Sequence, residues 1–139
     1  MTATTAAARP LSRYLSAGVR VVLGLLFFVT GLNGFLNFLP QNAESMSEGA
    51  LAFSTALAQT GYMLPLAMGV QLLSGILLLA NRFVPLALTL LAPIVVGIFA
   101  FHVFLAPSGL VIAIAVAAME AGLAWAHRDA FRSVLRVRV

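Results

Sequence analysis

The chain has 139 residues, of which 62% are hydrophobic and only 9% charged, with a mean hydropathy of +1.06. A soluble domain is about a quarter charged, so this composition excludes an ordinary water-soluble fold and fits one membrane domain. The formal net charge of +4 comes from eight arginines scattered among apolar runs, and there is no cysteine; the first rules out a basic nucleic-acid face, the second thiol exchange, thiolate metal sites and iron–sulfur ligation by the chain itself.

Residues 1–8, rich in threonine and alanine, are read as disordered. Pro10 suits the first turn of a helix, with Arg13 and Tyr14 at headgroup level. The apolar run at residues 17–39 is too long for a signal-peptide core and is read as a retained first span, stopped by Pro40. A turn is expected over residues 41–44. Ser45 followed by Glu48 matches the capping-box pattern, in which each side chain satisfies the other residue's free amide. A short extracytoplasmic helix is therefore expected before Thr60-Gly61.

The second span is read over residues 62–80 and the third over 83–106. Only Asn81-Arg82 separates them, which makes them antiparallel neighbours. Pro85 falls in the first turn of the third span, where its missing amide costs little, and Pro93 inside it predicts a kink. Ala106-Pro107-Ser108-Gly109 reads as a tight turn. The fourth span covers residues 110–127, with an interfacial continuation through Arg136 in which Phe131, Val134 and Leu135 face lipid. The fold class expected is all-α: a four-helix transmembrane bundle with a short helix between spans one and two.

The arginines orient this bundle. Arg9, Arg13 and Arg20 precede or open the first span, Arg82 joins the second to the third, and Arg128, Arg132, Arg136 and Arg138 follow the fourth. The other two connections carry none, and the longer holds Glu44 and Glu48. Cytoplasmic loops are enriched in arginine, so both termini are expected in the cytoplasm of a bacterial inner-membrane protein.

Polar residues within the spans are the candidate site residues, because an ionisable group at membrane depth is expensive. Counting rise per residue puts Arg20, Thr89 and Glu120 roughly 10 Å, and Gln71 roughly 15 Å, from the cytoplasmic boundary. These four are expected to form one buried polar layer. Arg20, Gly24, Phe27, Gly31 and Gly34 share one stripe of the first helix; Ala113, Ala117, Glu120 and Ala124 share one of the fourth. Small residues mark close helix approach in membranes. A carboxylate there needs a partner, and an Arg20–Glu120 ion pair is the expected solution. Arg20 snorkelling to the headgroups is the alternative. Asn33, Asn37 and His102 reach the outer end and form a candidate second cluster, either a quinone or ligand pocket or a set of interhelical contacts. His102 and His127 lie at opposite faces, so the chain cannot ligate a haem through both. No metal site is expected, and no cofactor within the chain.

The run Arg20-Val21-Val22-Leu23-Gly24-Leu25-Leu26-Phe27-Phe28-Val29-Thr30-Gly31-Leu32-Asn33-Gly34-Phe35 resembles the opening helix of the DoxX family. The resemblance continues through Thr60-Gly61-Tyr62, the run from Gly75 to Leu79, Asn81-Arg82-Phe83, and Glu120 followed by Trp125 and Arg128-Asp129-Ala130-Phe131. It implies a four-helix bacterial membrane protein acting as an accessory subunit of a quinone-linked redox system, not catalytic by itself. Family members often have lysine at the position of Gly34 and glutamate at that of Gln71. The alternatives are a lipid- or ligand-binding bundle lined by Arg20, Gln71 and Glu120, and a proton-coupled transporter. Expected partners are the lipid bilayer and either a membrane redox protein or further copies of the chain.

Overall fold

A computed structural model of the chain describes residues 2–40 and 43–137, with side chains described over residues 11–40 and 44–137. Gln41 and Asn42 of the expected turn, Arg138 of the arginine set, Met1 and Val139 lie outside the described residues. The elements run α1 (Thr2–Leu36), a 3-10 turn (Ala43–Ser45), α2 (Glu48–Gln59), α3 (Met63–Ala80), α4 (Val84–Phe104), a second 3-10 turn (Pro107–Gly109), α5 (Leu110–Ala126) and α6 (Arg128–Val134). Four helices are long and apolar enough to cross a membrane: α1 over Leu11–Leu36, α3, α4, and α5 with its preceding turn. The chain is a multi-pass helical membrane protein. Its outward faces carry Val22, Val96, Val111, Ile112 and other large apolar side chains, all exposed, as a lipid-facing surface requires.

Several boundaries differ from expectation. Residues 2–8 are helical rather than disordered, because α1 continues through them. That helix ends at Leu36, three residues before the expected stop, because two asparagines end it. Asn37 takes a left-handed backbone with φ 49°, its N–H donates to the Asn33 carbonyl at 2.8 Å, and Asn33 Oδ1 accepts from Leu39 N at 2.7 Å. Asparagine tolerates this conformation and so terminates helices much as glycine does. The same device closes α3. Asn81 has φ 54°, its N–H reaches the Leu78 carbonyl and that of Arg82 reaches Leu77, which is a Schellman closure with asparagine in the usual glycine place. Helix α4 starts one residue later and ends two residues earlier than read, and its assignment continues through Pro93. The expected continuation of the last span is interrupted at His127; α6 is a separate helix in which Phe131 packs on the core while Val134 and Leu135 stay exposed.

The short helix between the first two spans is present, but its N-cap is Ser47, not Ser45. Ser47 Oγ accepts from Ala50 N at 3.2 Å and donates to the Leu105 carbonyl at 2.5 Å. Glu48 is thus the first residue of the helix and stabilises it through the helix dipole, not through a capping box. Ala50 is fully buried, and Phe53 packs against Phe101 with tilted rings, centroids 5.6 Å apart. Helix α2 therefore caps the end of α4. Replacing Ser47 with alanine removes both bonds; a loss of about 1 kcal/mol, typical of an N-cap, is expected in detergent melting, with faster proteolysis of the α1–α3 connection.

Residue numbers rising along α1 meet numbers falling along α3, so the two are antiparallel. Arg20 meets Leu78, Thr30 meets Gln71, and Gly31 meets Leu72 and Met68. The core runs from Leu23, Phe27 and Leu78 through Leu88 and Leu91 to Val116 and Leu123. Ser47 on Leu105 puts the two arginine-free connections at one end of the bundle. The Asn81–Phe83 turn and the chain beyond His127 lie at the other.

Candidate functional site

The polar residues of the spans fall into two separate groups instead of one layer. The first lies between α1 and α3. The Arg20 guanidinium donates through Nη1 to the Leu78 carbonyl, one of the last carbonyls of α3, where cationic charge also complements the helix dipole. About 15 Å along α1, Thr30 Oγ1 lies 3.0 Å from Gln71 Oε1 and 2.8 Å from the Leu26 carbonyl. A hydroxyl has one proton, so both contacts are satisfied when the Gln71 amide presents its NH2 to Thr30 while Thr30 donates to Leu26. Gln71 is buried, and this is a side-chain tie between two spans. Thr30 is legible in the sequence as polar but not as Gln71's partner, because the α1–α3 register cannot be counted from span ends.

The second group lies between α4 and α5. Glu120 is 7% exposed, and neither of its carboxyl oxygens has a hydrogen-bond partner. Among the described residues the one ion pair is Arg132 with Asp129, at 3.3 Å and exposed. The expected Arg20–Glu120 pair is therefore not formed, because Arg20 faces α3. Thr89 shares with Glu120 a groove of about 400 Å³, also lined by Ala92, Val96, Ala121 and Phe131. Thr89 Oγ1 donates to the Pro85 carbonyl at 2.8 Å, which leaves that oxygen free to accept. Ser74 Oγ is a further buried atom without a partner, fully enclosed on α3.

The outer group is also rearranged. Asn33 and Asn37 close α1, as described above. His102 Nδ1 lies 2.8 Å from the Ile98 carbonyl one turn back, and its ring occupies the space a side chain on Gly109 would fill. Among the described residues no hydrogen bond joins His102 to either asparagine. Asn33 and His102 bond through their side chains to the main chain near them, and Asn37 bonds through its backbone N–H. The pattern of asparagine shortly before Pro40 is the signal in the sequence for a helix stop. His127 repeats the arrangement of His102, with Nδ1 at 2.9 Å from Leu123 O.

Four apolar spans, the first two of them tied by polar side chains across their interface and the bundle capped at one end by a short helix, define a small helical membrane bundle. The family model for DoxX matches residues 15–103. The chain belongs to the DoxX family. The matched stretch covers most of α1 and all of α2 and α3, and reaches to near the end of α4; α5 with Glu120 lies beyond it. No protein of curated function and no solved structure matches the chain.

Proposed function

We propose that this DoxX protein sits in the bacterial inner membrane with both termini in the cytoplasm and serves as an accessory subunit of a quinone-linked redox system. The observation that carries the reading is the use of its polar side chains. Arg20, Thr30, Gln71, Asn33 and His102 are engaged with backbone carbonyls, with a backbone amide or with one another, which suits a rigid scaffold. Quinone chemistry is then a partner's, in keeping with the use of His102 Nδ1 and Asn33 Oδ1 in main-chain hydrogen bonds. The clustering of Arg13, Arg82, Arg128, Arg132 and Arg136 toward one end supports the orientation.

Two measurements test it. Reporter fusions after Arg82 and at the C-terminus should both report cytoplasm; a periplasmic signal from either refutes the orientation. Mild-detergent purification of the full chain from native membranes should bring with it a cofactor-bearing protein and quinone. Recovery of the chain without a redox protein, at expression levels close to natural, refutes the accessory role.

A further inference from the structure

The groove between α4 and α5 has a chemistry that the scaffold does not use. Its walls are hydrocarbon, contributed by Ala92, Val96, Ala121 and Phe131 among others. Its mouth faces the bilayer, since Val96, Ala92 and Ala121 are exposed within the spans. Against this apolar lining stand two polar groups. Glu120 is more than nine-tenths buried with both oxygens unpartnered. The Thr89 hydroxyl, its proton given to Pro85, presents lone pairs.

We propose that this groove binds lipophilic molecules bearing a protonated amine, which enter sideways from the bilayer and pair with Glu120. Glu120 and Thr89 line the groove together, and an ammonium group, which carries three donors and the complementary charge, matches the unpartnered carboxyl group. An acyl chain alone would leave Glu120 as bare as it is now. An anionic headgroup would bring no compensating charge. A neutral alcohol supplies a single donor without charge. The volume of about 400 Å³ suits a small molecule. A partner helix, roughly 10 Å across, needs a long open face, whereas Phe131 folds back from α6 into this groove. This face of α4 and α5 has no part in the accessory-subunit reading, so either reading can fail alone.

The test uses the full chain in phosphatidylcholine nanodiscs, with phenylbutylamine as probe and phenylbutanol as its neutral isostere, measured by equilibrium dialysis against empty discs. The amine should bind saturably and the alcohol more weakly. Glu120→Gln should weaken amine binding by about tenfold or more, the worth of one charge-assisted hydrogen bond, and leave the alcohol unchanged. Ala121→Phe, which fills the groove and keeps Glu120, should abolish saturable binding of the amine; it carries the test if Glu120→Gln does not fold. No saturable amine binding by the wild type, equal affinities for amine and alcohol, or amine binding untouched by either substitution overturns the proposal.

Discussion

Replacing Gly75 with valine should destabilise the bundle by about 3 kcal/mol, at the upper end of what overpacking ordinarily costs. A Cβ on Gly75 would sit 2.5 Å from the backbone nitrogen of Phe28, and one on Gly31 would sit 2.5 Å from that of Leu72. Both clashes are with main chain, so no side-chain rotation relieves them and the helices must move apart. Separation would also stretch the Arg20 bond to Leu78 and the Thr30 contact with Gln71, which cross the same interface. Gly31→Val should behave alike. Gly97 provides the contrast, because a Cβ there meets nothing within 4 Å. Gly97→Ala should be neutral or stabilise by up to about 1 kcal/mol, since alanine is the better helix former. Equal melting of Gly75→Val and Gly97→Ala in detergent would show that α1 and α3 do not approach this closely.

The small-residue stripe on α1 is legible in the amino-acid sequence, and it does mark the tightest packing, with Gly75 of α3 opposite. The span count, the short α2 and the antiparallel turn at Asn81 are legible for the same reason. Each rests on a local rule: run length, a serine-rich start whose capping residue is Ser47 and not the expected Ser45, or a connection too short for anything else. Register is not legible in this way. Counting from the ends of spans places Gln71 and Arg20 in one layer, but neighbouring helices are staggered, and Arg20 reaches Leu78 while Gln71 reaches Thr30. Side-chain direction escapes the same rules. Arg20 and Glu120 both occupy interior stripes, yet an interior stripe of a four-helix bundle faces more than one neighbour. Thr89 and Glu120 do line one groove, and α4 and α5 are joined by a turn so short that their stagger is fixed. The outer asparagines resemble site residues by depth alone, whereas their nearness to Pro40 marks them as helix stops.

The separation of Arg20 from Glu120 makes a prediction whose sign distinguishes two arrangements. Arg20→Met removes a charged hydrogen bond to the Leu78 carbonyl and should cost about 2 kcal/mol. Glu120→Met removes a buried carboxyl group that no donor satisfies and replaces it with an apolar chain of similar size. It should stabilise the protein by about 1 kcal/mol or more, because burying an unpaired polar group is itself a penalty. The double substitution should equal the sum of the two within about 0.5 kcal/mol, since the residues share no partner. Were they an ion pair, Glu120→Met would instead strand the Arg20 guanidinium and cost about 3–5 kcal/mol, and the double substitution would recover most of it. A melting point that rises in Glu120→Met therefore supports an unpaired carboxyl group held ready in the α4–α5 groove, at a cost in stability that a merely structural residue would not carry. A melting point that falls, with recovery on adding Arg20→Met, would make Glu120 the counter-ion of Arg20.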